Sequence, residues 1–282
     1  METRKNPWEI PEWHSIGKEA SLIRHLIGSG ATSLGKANYA DKIGEYYNAF
    51  FGLSVGIERL AKLILVVNYS LLNQGKMPNE KVVRKFGHNI SDLVEAVDNI
   101  SNEQELSLRY SKPTNSICKK VVECLDSFAD ARRGRYANFS SLGNPNLSSE
   151  EPIEKWWSIV AEEILKEHYY GKRVQHKVES NARVTHDIVT PFSMVLHTNE
   201  TGEMMQDVFT ASVRTGQTDI VQRYGRYYAL SVVRWLSCVY VEIAEHASYK
   251  KQIDAFYGSW EHLQTYTVSD DFLKTRKVWP LT

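Results

Sequence analysis

The densest group of side chains able to bind an anion is a short arginine cluster. Arg132, Arg133 and Arg135 place three positive charges within four residues, and Tyr136 and Asn138 follow them. Guanidinium groups bind phosphate oxygens through paired hydrogen bonds, so the cluster is typical of a site for a phosphate-bearing ligand. Asn138 can bind a phosphate or a base edge, but it cannot transfer a proton. This segment is the first candidate for a phosphate-binding site.

A serine motif provides a second candidate chemistry. Gly52-Leu-Ser54-Val-Gly56 has the G-x-S-x-G pattern of serine hydrolases, in which Ser54 would be the nucleophile. That chemistry needs a β-strand before the serine, because a strained turn must lift its hydroxyl above a sheet. Apolar residues recur at helical spacing through Ser54, which favours a helix instead. Whether residues 45–70 form one unbroken helix decides between the two interpretations.

The remaining motifs predict neither a cofactor nor a metal. Gly30 to Lys36 matches the start of a phosphate-binding P-loop, but Ala37 stands where a serine or threonine should bind magnesium. The nine histidines show no H-E-x-x-H spacing, which would place two metal ligands on one helix face. Three cysteines without a C-x-x-C pair exclude a disulfide framework and a four-cysteine zinc site.

Composition limits the class of partner. Thirty-four basic and thirty-four acidic residues give a formal net charge of zero, so the overall field does not attract nucleic acid. The chain is 42% hydrophobic and 24% charged, as in folded globular proteins. Its N-terminal residues lack the apolar core of a signal peptide, and its apolar runs are too short to cross a bilayer. We therefore expect a cytoplasmic protein that does not contact membranes.

Helical patterns dominate the first half of the chain. Spacings of three and four between apolar residues predict a helix over residues 41–72, in which Gly52 and Gly56 permit close approach of a partner helix. A second helix is expected to begin near Asn89 or Ser91, either of which can cap it. A third is expected over residues 115–131.

The second half is predicted to be helix-rich with one small β element. A linker over 143–152 precedes an expected helix over 153–169, and an apolar pattern predicts a long buried helix over 219–250. Between them, β-branched residues within 172–215 predict a small β-hairpin, although Pro191 disfavours it. The fold class is therefore mainly α.

Three features together resemble the HEPN superfamily of small α-helical domains. They are the helix containing Glu58-Arg-Leu-Ala-Lys-Leu63, the helix start Gly87-His88-Asn89-Ile90-Ser91-Asp92-Leu93, and a later apolar helix leading to Asp130-Ala-Arg132-Arg133-Gly-Arg135-Tyr136-Ala-Asn138. The resemblance covers about residues 40–145. It implies a HEPN-like helical bundle there, after an N-terminal segment (1–39) and before a C-terminal region of unknown role (153–282).

The resemblance also implies a function. HEPN domains tend to pair as homodimers, and many are metal-independent ribonucleases of toxin and phage-defence systems that use an Arg-x4–6-His motif. Carried onto this chain, Arg132 or Arg133 leads to Asn138 where the histidine should stand. The resemblance therefore implies a dimeric RNA-binding module with an impaired ribonuclease motif, which has RNA and a defence-system protein as expected partners.

Alternatives to this function stay open at the level of sequence. The protein could be an active ribonuclease whose histidine comes from elsewhere, with His88 or a histidine of the C-terminal half as the first candidates. The arginine cluster could instead pair with Asp126 and Asp130, about one turn earlier. A serine hydrolase and a purely structural or effector-binding protein are the remaining classes.

Overall fold

The computed structural model of this chain describes residues 6–130 and 151–279, and both ranges are predominantly helical, which confirms the predicted mainly α fold. No helix within these ranges is long and apolar enough to cross a membrane. A short 3₁₀ turn, Pro7–Glu9, precedes the first helix. The N-terminal range contains α1 (Pro11–Leu34), α2 (Gly44–Leu72), α3 (Glu80–Lys85), α4 (Ile90–Glu103) and α5 (Ser116–Ala129).

The C-terminal range is built around one very long helix. Its helices are α6 (Pro152–Trp156), α7 (Glu162–His168), α8 (Arg173–Val189), α9 (Val208–Glu245), α10 (Glu261–Gln264) and α11 (Asp270–Thr275). A π-helical turn, Trp157–Ala161, joins α6 to α7, and a second one, His246–Lys250, continues α9. Short 3₁₀ turns lie at Thr190–Phe192 and Asp254–Phe256.

Polar caps set the start of two helices. The Asn89 side chain accepts a hydrogen bond from the amide of Asp92 at the start of α4, and Asn115 accepts one from Ile117 at the start of α5. Such side chains satisfy amides that have no partner within the helix. These caps confirm the helix starts that the sequence predicts.

Close packing of α1 on α2 confirms the predicted role of two glycines. A Cβ atom at Gly52 would lie 2.6 Å from the Leu26 carbonyl oxygen and 2.9 Å from the Gly30 Cα. A Cβ atom at Gly56 would lie 2.5 Å from the Ile27 Cγ1. The two backbones therefore meet at this crossing because the side chains are absent. Gly30, which begins the P-loop-like sequence, belongs to helix α1.

Helix α9 connects the two halves of the molecule. It packs against α2 and α5 from the first half and against α8 and α11 from the second. Residues of both halves, such as Leu53, Val121 and Trp235, belong to one hydrophobic core. The described parts of the predicted regions 40–145 and 153–282 therefore share this core, which holds the elements around the candidate site in place.

The predicted β-hairpin is wrong. Most of its first strand lies in helix α8, and the one β pairing found in the two described ranges is an isolated bridge between Thr198 and Met204. Val174, Val178 and Ala182 recur every fourth residue, and this spacing directs one helix face toward α9. Helical packing therefore outweighed the β propensity of the branched residues.

Candidate functional site: an aromatic and cationic cleft

A cleft of about 460 Å³ opens between the two halves of the chain. One wall is the loop of residues 111–115 that leads into α5, and the other is the middle of α9. His168, the last residue of α7, and Lys274 of α11 also line it. We call this feature the aromatic–cationic cleft and define it by His168, Tyr224, Tyr227, Arg234 and Lys274.

Helical spacing brings the α9 side chains of the cleft together. Tyr224, Tyr228 and Ser231 follow one another at intervals of four and three residues, so they lie on one face of the helix. Arg234 continues the same face one turn later. A Cβ atom at Gly225 would lie 3.0 Å from the Trp156 indole, so this glycine permits the close packing that holds α9 in place.

Two stacked rings line the cleft. The His168 imidazole lies on the Tyr224 ring, with centroids 3.5 Å apart and planes 4° from parallel. The His168 Nε2 is 2.7 Å from the Tyr228 hydroxyl, which fixes the imidazole in its plane. Burial lowers the pKa of His168 and raises that of Tyr228, so both groups are neutral near pH 7. The stack is therefore flat, fixed and uncharged.

An ion pair holds the cationic wall in position. The Arg234 Nη1 lies 2.7 Å from the Asp270 Oδ1 and donates to the Val268 carbonyl, while the Tyr227 hydroxyl donates to the Asp270 Oδ2 at 3.0 Å. Burial acts to raise the pKa of Asp270, but the hydrogen bonds from Arg234 and Tyr227 lower it overall. Asp270 is therefore charged at neutral pH and stabilises the wall.

Lys274 is the cation of the cleft that is available to a ligand. Its Nζ lies 4.7 Å from the centroid of the Tyr227 ring, and it makes no ion pair with any residue in the described ranges. Lys112 on the opposite wall pairs with Asp98 at 2.8 Å. The positive end of the α5 helix dipole adds to the positive electrostatic potential of Lys274, because Asn115 at the N-terminus of α5 lines the same cleft.

No protein-family model, no curated protein and no solved structure matches this chain. The HEPN resemblance therefore stays a prediction from the sequence motifs, and the geometry of the chain itself has to support any function.

That geometry suits stacking and charge neutralisation. Within the described part of the chain, no three histidine, cysteine or acidic residues form a metal-binding group. Burial raises the pKa of the Cys118 thiol, which lines the cleft, to about 12, so it is not a nucleophile at neutral pH. A ligand with a flat ring and a negative charge fits the cleft best.

The predicted arginine site lies outside the described residues. This applies to every predicted residue of the cluster: Arg132, Arg133, Arg135, Tyr136 and Asn138. Asp126, one of its two predicted acidic partners, accepts hydrogen bonds from the Ile90 amide at 2.7 Å and from the Ser91 hydroxyl at 3.1 Å. Its carboxylate therefore stabilises the start of α4.

His88 is exposed and does not line the cleft. Its Nδ1 lies 2.9 Å from the Glu58 carboxylate and 3.2 Å from the Lys62 Nζ, and its side chain is 85% exposed. It lies beside the start of α4, which contacts the last turns of α5 through Asp126. The cleft lies at the first turn of α5. At 1.5 Å per residue, this turn is roughly 12 Å from Asp126 along the helix axis.

Ser54 does not lie on a nucleophile elbow. Helix α2 runs without a break from Gly44 to Leu72, and Ser54 is fully buried in it. Its hydroxyl donates to the Phe51 carbonyl within the same helix. The strand and the strained turn that the hydrolase interpretation requires are therefore missing at this position.

Proposed function

We propose that this protein binds RNA and that the aromatic–cationic cleft accepts one nucleotide of a single strand. The stacked His168–Tyr224 pair next to Lys274 is the observation that supports the proposal. Single-stranded RNA is typically held by aromatic rings that stack on bases and by cations that neutralise phosphates. Both kinds of group are present within one cleft.

The size and rigidity of the cleft support a specific ligand. Pockets for small ligands have volumes of about 300–1,000 Å³, and a cleft of about 460 Å³ falls in this range. Its rings are fixed by the Tyr228 and Asp270 hydrogen bonds, so a base loses little of its binding energy to ordering of the site. Since the net charge of the chain is zero, local contacts have to supply the affinity.

A metal-independent ribonuclease is the second candidate function. It is favoured by His168, a neutral imidazole inside a cleft that also contains Lys274. A neutral imidazole can accept the proton of a ribose 2′-hydroxyl, and an ammonium group can neutralise the charge that develops on the phosphate. In this case His168, in the C-terminal half, would replace the histidine of the Arg-x4–6-His motif, whose position is occupied by Asn138.

The HEPN resemblance adds three expectations to the proposal. The protein would act as a homodimer, it would have a protein partner in a defence system, and Arg132, Arg133 and Arg135 would extend the RNA-binding surface. A cytoplasmic location is part of the same proposal. Three buried free thiols, of Cys118, Cys124 and Cys238, support it because such thiols are typical of reducing compartments.

Fluorescence anisotropy with a labelled single-stranded oligonucleotide tests binding, and gel analysis of the same RNA with and without EDTA tests cleavage. We expect the affinity for RNA to fall as the salt concentration rises. If the RNA is cleaved, EDTA should not affect the cleavage. Lys274→Ala should reduce the slope of log affinity against log salt by about 0.7, the share of one phosphate contact on a single strand. Lys85→Ala, an exposed lysine outside the cleft, is the matched control.

The outcomes separate the candidate functions. Cleavage that is lost in His168→Gln supports the ribonuclease, whereas binding without cleavage supports the binding module. If the chain neither binds RNA in a salt-dependent way nor cleaves it, the RNA function is wrong and a protein-interaction role remains.

A further inference from the structure

A second pocket lies directly beside the aromatic–cationic cleft. It has a volume of about 610 Å³ and is lined by residues of α4, α5 and α9 and by the loop before α5. Residues 112–115 and Cys118 line both cavities, so the two are immediate neighbours. We call this feature the second pocket and define it by Val94, Glu95, Val122, Val232 and Trp235.

Buried apolar side chains line part of the second pocket. Val94 of α4, Val122 of α5, and Val232 and Trp235 of α9 belong to this part, and each is between 1% and 8% exposed. Ligand pockets typically combine such an apolar lining with a few polar groups that fix the orientation of the ligand. The apolar lining suits the faces of a flat ring such as a nucleobase.

Trp235 also contributes a hydrogen-bond donor to the second pocket. Its indole Nε1 is buried and forms no hydrogen bond with any residue in the described ranges. The Lys112 Nζ, also at this pocket, lies 5.7 Å from the centroid of the indole ring. Buried polar groups are nearly always paired. The Trp235 N–H therefore needs an acceptor that a ligand in the pocket can supply.

Glu95 is the acceptor of the second pocket that is available to a ligand. Three carboxylates and two lysines line the pocket. Lys112 pairs with Asp98 at 2.8 Å, and the Lys119 Nζ lies 3.9 Å from the Glu123 carboxylate. Glu95 is exposed and has no hydrogen-bond or ion-pair partner in the part of the chain that the structure describes. Its unpaired carboxylate repels a phosphate but accepts hydrogen bonds from N–H groups.

The wall shared by the second pocket and the cleft is held at both ends. Lys112 is bound to Asp98 of α4, and the Asn115 side chain accepts a hydrogen bond at 2.7 Å from the Ile117 amide at the start of α5. Ligand binding therefore needs little ordering of this wall. Two fixed cavities on either side of one short loop suit two successive bases of a single strand.

The polar groups of the second pocket match guanine better than the other bases. A carboxylate can accept two parallel hydrogen bonds, and guanine alone presents two adjacent donors, N1–H and the 2-amino group, on its Watson–Crick edge. This edge is accessible in a single strand. The O6 and N7 atoms of guanine are acceptors that suit an indole N–H. Adenine and cytosine place an acceptor beside their amino group, and uracil has one N–H donor.

We propose that the second pocket binds guanine and makes the protein selective for single-stranded RNA with a guanosine next to the nucleotide in the cleft. Glu95 accepts from the Watson–Crick edge of the base, and the Trp235 N–H donates to one of its acceptors. The buried valines contact the faces of the ring. The inference rests on the proposed RNA function and adds a base preference to it.

Fluorescence anisotropy on the full chain tests this preference. The probes are labelled oligouridine strands, either unmodified or with one central guanosine, inosine, adenosine or cytidine. The guanosine strand should bind about tenfold more tightly than the unmodified strand, which is the discrimination that a paired hydrogen bond to a base provides. Inosine lacks the 2-amino group and should lose most of this preference.

Glu95→Gln tests the residue assigned to the base edge. Because Glu95 is exposed, the substitution leaves the core intact, and the guanosine and unmodified strands should then bind within about twofold of each other. Glu103→Gln, at the exposed end of α4 and outside the pocket, is the matched control and should keep the preference. Trp235→Phe keeps a ring without the N–H and should reduce the preference about threefold, the share of one neutral hydrogen bond.

The outcomes separate this inference from the proposed function. A guanosine preference that is lost in Glu95→Gln and kept in Glu103→Gln supports it. Equal affinity of the wild type for all strands overturns the inference but leaves RNA binding by the cleft intact, and a preference that survives Glu95→Gln also overturns it. If no strand binds, the RNA function is wrong and the inference is wrong with it.

Discussion

Replacing Gly52 by alanine tests whether the α1–α2 contact depends on the absence of a side chain. The new Cβ would lie 2.6 Å from the Leu26 carbonyl oxygen and 2.9 Å from the Gly30 Cα. Both neighbours are backbone atoms, so no rotamer change relieves the contact and the helices have to separate. We therefore expect Gly52→Ala to destabilise the fold.

Two opposing effects set the size of this loss. Overpacking a core costs about 1–3 kcal/mol, and the backbone contact at Gly52 places this case near the upper end. Alanine in place of glycine within a helix contributes about 1 kcal/mol in the other direction. The net decrease in the free energy of unfolding should be about 2 kcal/mol, which lowers the melting temperature by roughly 3–4 °C for a chain of this size.

Gly17 offers a matched control in helix α1. Nothing lies within 4 Å of the position that its Cβ would occupy, so Gly17→Ala gains helix propensity without a clash. Urea unfolding followed by far-ultraviolet circular dichroism, at equal protein concentrations, should show Gly17→Ala at or above the stability of the wild type. A Gly52→Ala variant as stable as Gly17→Ala would refute the packing argument.

Two further predictions concern buried polar groups. Glu200→Gln leaves the Arg214 guanidinium without its counter-charge and should lower the free energy of unfolding in urea by about 3 kcal/mol. The control is Glu203→Gln at the exposed end of the same turn, which should change this free energy by less than about 0.5 kcal/mol. Equal effects of the two variants would contradict the buried ion pair. Burial lowers the pKa of His168 below its usual 6.5, so the folded chain binds fewer protons than the unfolded chain as the pH falls below that value. The free energy of unfolding should therefore decrease as the pH falls below about 6.5. His246 and His262 contribute in the same direction, so His168→Gln should reduce this decrease without abolishing it. An unchanged pH profile would count against the burial of the His168 imidazole.

The helices of the first half could be predicted because their signals are local. Apolar spacing identified α2 and α5, and Asn89, one of the two expected caps, marked the start of α4. The glycine pair of α2 even predicted the close helix crossing. Helix α8 was misinterpreted because its β-branched residues favour strands locally, whereas the packing of Val178 on Gly216 decides the structure and depends on a residue 38 positions away in the chain.

The cleft could not be predicted for a related reason. His168 stacks on Tyr224 across 56 positions, and Lys274 comes from the last helix, so no spacing in the sequence connects them. Conversely, His88 has the right residue type, but the structure places it away from the cleft, beside Glu58.

The central claim is that the stacked His168–Tyr224 pair holds a base of bound RNA, and replacing the Tyr224 ring tests this most directly. Anisotropy of a labelled single-stranded RNA should show affinity within about twofold of the wild type for Tyr224→Phe, which keeps the ring. Tyr224→Ala should bind about tenfold more weakly, because stacking on one base contributes about 1–3 kcal/mol. Equal affinities for the phenylalanine and alanine variants, both folded by circular dichroism, would contradict the account.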